Sequence, residues 1–238
     1  MIPIDSGAFE QDTAEMTVET GLLKSIAYFA GLSPTELDSI KPYVLERKAE
    51  RGEIILHDGE SAEALFFVVS GAVKVFKTSV EGKEQILNIV RPGESFNDAP
   101  FFDDSANQAS AQAMGPAVLY ELRKSEFRTI LQHHQQIAMN AIRVLARQTR
   151  QLVSLVEDLS FKHVTGRVAK ILLEHAGDGS SYGPRLTQQE MAAIAGTARE
   201  VVGRSLKSLE EEGIIRLERH RLVIANKAAL RDRAESPL

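Results

Sequence analysis

The stretch from residue 186 to residue 213 constrains the fold of this chain more than any other, because it predicts two short helices joined by a tight turn. Thr187 and Glu190 have the spacing of a capping box at the start of the first helix. Gly196 is the kind of residue that ends a helix, since glycine adopts positive backbone angles without strain. Two short helices with such a turn are typical of a helix-turn-helix, whose second helix enters the major groove of DNA.

The second helix of this stretch is expected to begin at a Thr197 cap, with Glu200 at the capping-box position. Apolar residues at helical spacing predict its buried stripe: Val201, Val202, Leu206 and Leu209. The residues beside that stripe are the candidates for contact with DNA: Ala198, Arg199, Glu200, Arg204 and Lys207. A helix hairpin in a metabolic enzyme has the same periodicity, so the flanking segments must discriminate between the two.

The flanking segments favour a DNA reader. Residues 214–217 and 221–224 predict two short strands, which complete a winged helix and place Arg219 beside the tip of the wing, within reach of phosphates. Residues 160–238, which we assign to a DNA-binding domain, carry 13 Lys and Arg against 10 Asp and Glu, whereas the rest of the chain carries 15 against 23. A basic domain on an acidic body is the charge distribution expected of a tethered DNA-binding module.

Residues 133–159 predict one long helix with a narrow apolar seam. The seam residues recur at alternating steps of three and four: Ile142, Leu145, Thr149, Leu152, Val156 and Leu159. Such a seam is typical of a coiled coil, and in a two-fold dimer the partner is a second copy of the same helix. The alternative is a long helix that packs on its own domain. Because charged residues keep the other faces polar, we expect a homodimer.

Residues 21–132 predict a β-rich domain flanked by short helices, one of which begins at a Ser33 cap followed by Pro34. Five short runs have the composition of β-strands: Glu53–Leu56, Ala64–Val69, Ala72–Lys77, Gln85–Val90 and Ala117–Leu122. Regular turn signals between short strands favour a sandwich or a barrel. Residues 1–20 are polar and acidic, and we expect them to form an N-terminal arm.

Composition excludes several functional classes. The chain has no cysteine, which excludes disulfides, thiolate zinc sites and cysteine-ligated iron–sulfur clusters. It has no apolar run of the ~18 residues that a membrane span needs and no signal-peptide pattern, so we expect a cytoplasmic protein without a membrane partner. We also expect no enzymatic activity, because the sequence shows no nucleophile–base pair, phosphate-binding P-loop or zinc-site spacing.

Three motifs together resemble the superfamily of the cyclic-AMP receptor protein and the fumarate–nitrate reduction regulator (CRP/FNR), and the resemblance covers roughly residues 21–228. The motifs are Val164–Ala169 (VTGRVA), Leu186–Glu190 (LTQQE) and Arg199–Arg204 (REVVGR). The resemblance implies an α+β fold. An N-terminal β-roll of the cyclic-nucleotide-binding, jelly-roll type would be followed by a long dimerisation helix and a C-terminal winged helix-turn-helix.

The same resemblance implies a homodimeric transcription regulator, in this family more often an activator. It would bind palindromic double-stranded promoter DNA, work with RNA polymerase and respond to a small molecule or a gas. Arg199, Glu200 and Arg204 would contact base edges in an inverted repeat with half-sites similar to TGTGA. Thr187 and Gln189 would hold phosphates near the first helix.

The sensor part departs from the cyclic-nucleotide pattern of this family. That pattern has a Gly-Glu pair for the ribose, an arginine for the cyclic phosphate and polar residues on the long helix for the purine. At those positions this chain has, in the same order, Asn97 and Asp98, Asn107 or Gln108, and Leu152 and Val153. A neutral amide cannot balance the charge of a buried phosphate. We therefore do not expect cyclic AMP or cyclic GMP to be the effector.

The identity of the effector stays open from the sequence. Residues 73–87 are most similar to the branch of the family that regulates denitrification and nitric oxide stress, where haem serves as the sensor cofactor. Haem would need an axial ligand, for which His57 is the first candidate and His133 and His134 are others. The simpler interpretation of each is a histidine on the surface without a ligand. A small organic effector, a divergent cyclic-nucleotide pocket and a regulator without any effector are the alternatives.

Overall fold

The computed structural model describes residues 18–175, 186–218 and 221–236. Within these ranges the chain forms a β-roll covered by short helices, then a long helix, then a helical C-terminal part with a two-stranded hairpin. This is the α+β arrangement that the sequence predicts. No helix of the described ranges combines the length and the apolar character that crossing a membrane requires.

Short helical segments cover one end of the β-roll: α1 (Thr20–Ser25), a 3₁₀ turn (Ala27–Phe29), α2 (Pro34–Ile40) and a second 3₁₀ turn (Lys41–Tyr43). The predicted cap of α2 is confirmed, since Ser33 and Glu36 exchange side-chain-to-backbone hydrogen bonds. Tyr28 and Phe29 are buried, and their rings lie 5.3 and 5.5 Å from the ring of Phe67. Aromatic packing therefore fixes this helical cap to the roll.

Among the described residues, eight antiparallel strands form the roll: β1 (Val44–Ala49), β2 (Ile54–Leu56), β3 (Ala64–Ser70), β4 (Val73–Thr78), β5 (Glu84–Val90), β6 (Ser95–Phe96), β7 (Ser110–Ala113) and β8 (Ala117–Arg123). They pair into two four-stranded sheets, with strand orders β1-β8-β3-β6 and β2-β7-β4-β5. The five predicted runs coincide with β2, β3, β4, β5 and β8 to within one residue at each end. Between β6 and β7 lies a short helix, α3 (Asp98–Asp103).

Two helices follow the roll, α4 (Lys124–His133) and the long α5 (Gln135–Phe161). The long helix therefore begins and ends two residues later than the predicted span of 133–159, because the backbone at His134 leaves the helical region. Ile137, Ala141 and Val144 bury the first half of α5 in the same core as the aromatic cap. Beyond them α5 runs along the opening of the roll, and its seam is exposed.

The C-terminal part contains α6 (Val164–His175), α7 (Gln188–Ala195), α8 (Arg199–Glu211), β9 (Ile215–Glu218), β10 (Arg221–Ile224) and α9 (Lys227–Glu235). The strands β9 and β10 pair antiparallel, as expected for a wing. Of the predicted stripe on α8, Val202, Leu206 and Leu209 are buried, and Val201 is half-buried. These side chains join residues of α6, α7 and α9 in a separate hydrophobic core, so this part has the interior of an independent domain.

The helix α7 packs on the outer face of the second sheet. Ala193 and Ile194 contact an apolar patch of the roll that includes Phe76, Ile86 and Ile89. In addition, the Gln85 side chain donates a hydrogen bond of 3.2 Å to the carbonyl of Ile194. The helix-turn-helix is therefore held directly against the strand β5.

Two glycines in turns between consecutive strands allow a matched test of packing in the roll. Gly71 and Gly82 both have φ of +80°, but a Cβ at Gly71 would lie 2.5 Å from the carbonyl oxygen of Pro116, whereas a Cβ at Gly82 would meet no atom within 4 Å. We expect Gly82→Ala to cost about 1 kcal/mol, because only the positive φ is strained. We expect Gly71→Ala to cost about 2–4 kcal/mol, because a backbone clash is added. Urea unfolding followed by circular dichroism measures the difference, and equal losses would contradict it.

Candidate DNA-binding surface and sensor cavity

The first helix of the helix-turn-helix is held by the predicted capping box. The Thr187 hydroxyl accepts a hydrogen bond of 3.1 Å from the Glu190 N–H, and the Glu190 carboxylate accepts one of 2.6 Å from the Thr187 N–H. At the other end, Gly196 is the C-cap in the left-handed region, with φ of +62°. Both local signals therefore set the length of α7 as the sequence predicts.

The predicted cap of α8 is wrong. The N-cap is Ala198, one residue after Thr197, and no side chain of the described residues caps the helix. The Thr197 N–H instead donates to the carbonyl of Ala192 and belongs to the end of α7. The first turn of α8 thus keeps its N–H groups free of a side-chain acceptor, which is the arrangement that favours contact with an anion such as a DNA phosphate.

The predicted DNA-contacting residues share one property, which is exposure on the surface of the helix-turn-helix: Thr187, Gln189, Ala198, Arg199, Glu200, Arg204 and Lys207. We call this group the reading face. Arg199 and Arg204 form no ion pair within the described ranges, and Lys207 lies 3.7 Å from Glu211 in an exposed pair. Arg219 lies outside the described residues. The reading face therefore presents two unpaired guanidinium groups to solvent.

A cavity of about 350 Å³ lies between the roll, the β6–α3 segment and α5. We call it the sensor cavity. Of the predicted pocket residues, four line it: Asn97, Asp98, Gln108 and Leu152. Asn107 and Val153 do not. The Asn107 side chain is buried in the loop before β7 and donates to the carbonyl of His57, whereas Val153 is 62% exposed on α5.

The turn at the floor of the sensor cavity has a backbone conformation that is typical of glycine, although the residue at this position is Asn97. Asn97 has φ of +70°, in the left-handed region that asparagine enters more easily than most residues. Its side-chain amide donates a hydrogen bond of 3.1 Å to the carbonyl of Ala64, which holds the turn. The neighbouring Asp98 is 2% exposed, so its carboxylate is buried below this turn.

Asp98 accepts hydrogen bonds from three side chains. Tyr28 and Ser95 donate to Oδ1, and Gln148 of α5 donates to Oδ2 at 2.8 Å. Burial, together with the negative charge of Asp98, raises the pKa of Tyr28 far above its ordinary value, so Tyr28 remains a donor at any physiological pH. Sequence reasoning identified Asp98 but missed Tyr28 and Gln148, because nothing local in the sequence connects positions so far apart.

The residues of the sensor cavity do not fit haem. The described residues that line the cavity include no histidine, methionine or tyrosine that could serve as an axial ligand. His57 is exposed on a loop and lies outside the lining. His133 and His134 also lie outside this lining, and they form hydrogen bonds to the carbonyl of Thr129 and to the hydroxyl of Ser39, respectively.

A second cavity of about 310 Å³ lies where β5, α5, α6 and α7 meet, and we call it the junction cleft. Arg167 spans it, with hydrogen bonds of 2.8 Å to the carbonyl of Ala195 and 2.7 Å to that of Lys162. Burial opposes the ionisation of Asp158, but hydrogen bonds from Lys162 and Lys170 outweigh it and hold the pKa of Asp158 below its ordinary value. Charged groups therefore join the end of α5 to the DNA-binding part.

Comparison with known proteins covers both halves of the chain. Residues 46–134 match the family described as cyclic nucleotide-binding domain, and residues 166–233 match the Crp-like helix-turn-helix domain. The chain is 34% identical over 195 residues to a cyclic AMP receptor protein of Thermus thermophilus. The aligned region covers 82% of this chain and 90% of that protein.

Solved structures show the same fold. The catabolite activator protein of Thermus thermophilus is 33% identical with a TM-score of 0.52, over 87% of this chain and 98% of that one. FixK2 of Bradyrhizobium japonicum, 24% identical, has a TM-score of 0.73 over 81% of this chain and 98% of that one. With a sensor roll, a long helix and a helix-turn-helix in this order, the chain belongs to the CRP/FNR family of DNA-binding transcription regulators.

Proposed function

We propose that this chain is a homodimeric, ligand-responsive transcription regulator that reads an inverted repeat through α8. The observation that carries the proposal is the reading face, where Arg199, Glu200 and Arg204 are exposed on one helix whose opposite side is buried. Arginine can donate two hydrogen bonds to O6 and N7 of guanine, and glutamate can accept one from N4 of cytosine. These pairings suit half-sites of the TGTGA type.

The seam of α5 supports the homodimer. Three of its side chains are at least half-exposed: Ile142 at 57%, Leu152 at 50% and Val156 at 62%. Exposing an apolar stripe of this length in a single chain is unfavourable, and a second copy of α5 covers it with self-complementary residues. In such a dimer the two α8 helices must lie ~34 Å apart to enter successive major grooves.

The lining of the sensor cavity supports an effector other than a cyclic nucleotide. Gln108 stands where a phosphate-binding cation is needed, and the side chain of Leu152 offers no hydrogen bond to a purine. Several relatives are named as cyclic-AMP-activated regulators, and those names favour a divergent cyclic-nucleotide pocket as the second candidate. A regulator that binds its DNA without any effector is the third. We further propose that it acts in the cytoplasm on RNA polymerase, as an activator.

Arg204→Ala tests base reading by α8. We expect the variant to lose about 1–3 kcal/mol of binding to the best duplex and to relax discrimination at a single base pair of each half-site, because one bidentate contact is removed. Lys207→Ala is the matched control, one turn further along the exposed side of α8, and should weaken all duplexes equally. Fluorescence anisotropy with single-base variants of a TGTGA-type inverted repeat, at one fixed salt concentration, measures both. Uniform weakening by Arg204→Ala would make it a phosphate contact only.

Val156→Glu tests the seam. In a two-fold pair of α5 helices this change places two carboxylates opposite each other in an apolar interface, so we expect the dimer dissociation constant to rise about a hundredfold, equivalent to about 2.7 kcal/mol. Glu157→Gln, the next residue on the polar side of α5, should leave it unchanged. Sedimentation velocity separates the 26.2 kDa chain from its dimer. A wild-type protein that sediments as a monomer would contradict the proposal.

Isothermal titration with cyclic AMP tests the class of effector. We expect no saturable binding to the wild-type chain, because the described residues that line the cavity offer no free cation for the phosphate. Gln108→Arg should create a measurable affinity, since its guanidinium can pair with that phosphate. Micromolar binding by the wild type would favour the divergent cyclic-nucleotide pocket instead.

A further inference from the structure

A closed set of hydrogen bonds joins α5 to the floor of the sensor cavity. Asn140, buried near the start of α5, donates to the carbonyls of Tyr28 and Ala30 at 2.9 and 2.8 Å. The hydroxyl of the same Tyr28 donates to Asp98. Asp98 in turn accepts from Gln148, about two helical turns after Asn140. The long helix is therefore attached to the roll at two residues, Asn140 and Gln148. Gln148 bonds to the buried carboxylate of Asp98 directly, and Asn140 is connected to it through Tyr28.

The two attachment points, Asn140 and Gln148, differ in whether a ligand can reach them. Asn140 is 4% exposed and sits among core residues, away from any described cavity. Gln148 is half-buried, and both Gln148 and Asp98 line the sensor cavity. A molecule that enters the cavity can therefore compete for Asp98 Oδ2, to which Gln148 is the one donor among the described residues, whereas Oδ1 is held by both Tyr28 and Ser95.

The rest of the lining indicates what such a molecule must look like. Its apolar side chains come from several strands and from α5: Leu56, Val75, Leu87, Val90, Phe96 and Leu152. Among the described lining residues, Lys77 is the one cation, and its ammonium group is paired with Asp58 at 2.6 Å. An anion in this cavity would lie near Asp98 without a free positive charge, which is unfavourable.

We propose that the sensor cavity takes a small, uncharged and largely apolar molecule with one hydroxyl or N–H group, which donates to Asp98 Oδ2 in place of Gln148. Gln148 is then released, and the second half of α5 loses its attachment to the floor of the roll. The inference rests on the proposed function, since it names the chemical class of the effector and the contact through which it acts on α5.

Three probes of matched size test the ligand class: benzyl alcohol, benzyl methyl ether and benzoate. Benzyl alcohol has the apolar body and the donor, the ether has the body without a donor, and benzoate has a negative charge. Titrations followed by ligand-observed NMR on the full chain should rank benzyl alcohol above the ether and show no binding of benzoate. An ether that binds as well as the alcohol, or a benzoate that binds at all, would overturn the proposal.

Gln148→Ala tests the displacement. Because the competing internal donor is removed, the variant should bind benzyl alcohol more tightly than the wild type, by about three- to tenfold. Gln151→Ala, which lines the same cavity from the same helix but does not contact Asp98, should leave the affinity unchanged. Equal or weaker binding by Gln148→Ala would overturn displacement. If circular dichroism shows that Gln148→Ala does not fold, Gln148→Leu takes its place, since it keeps the bulk and lacks the donor.

The release of α5 has its own readout. Without ligand, Gln148→Ala should change the affinity for a TGTGA-type inverted repeat in the same direction as benzyl alcohol changes that of the wild type. Opposite directions, or no change in either case, would contradict the release step. If the wild type fails to bind any inverted repeat, the proposed function itself fails. If it binds the repeat but the probes rank otherwise, only the inference about the effector fails.

Discussion

The burial of the first half of α5 against the roll is the interaction on which the rest of the structure depends. Ile137, Ala141 and Val144 belong to the same core as the aromatic rings of the N-terminal cap. This packing sets the direction in which the helix leaves the roll. It therefore decides which side of α5 closes the sensor cavity, which side remains as an exposed seam and where the DNA-binding part begins.

The strand β5 connects the two functional regions directly. Leu87 and Asn88 border both the sensor cavity and the junction cleft, while Ile86 and Ile89 pack against α7. Successive side chains of a strand point to opposite faces, so one strand can border a cavity and carry a helix at the same time. A single strand therefore lies between the sensor cavity and the helix-turn-helix.

Local signals in the sequence predicted local structure well. The cap at Ser33, the capping box at Thr187 and the helix end at Gly196 follow from residues within one turn of each other, and each is confirmed. The Thr197 cap was wrong because two motifs compete for that residue, and the closing turn of α7 uses its N–H. The strands β1, β6 and β7 were missed. In β1 three of the six residues are charged, and the two residues of β6 and the Ser-Ala-Gln-Ala run of β7 are too short or too small to show alternation.

The functional groups of the sensor cavity could be predicted only in part, and the reason is physical. A buried carboxylate needs hydrogen-bond donors. The sequence indicates that Asp98 requires such donors, but it does not indicate which residues supply them. Here two of the three donors, Tyr28 and Gln148, are 70 and 50 positions away in sequence, and the packing of α5 and the helical cap on the roll brings them together. Because the chain satisfies the hydrogen bonds of Asp98 by itself, neither oxygen of this carboxylate lacks a donor in the ligand-free cavity. An effector shifts the conformational equilibrium only by the difference in free energy between its own hydrogen bond to Asp98 and the hydrogen bond that it replaces. A modest difference of this kind suits a reversible switch.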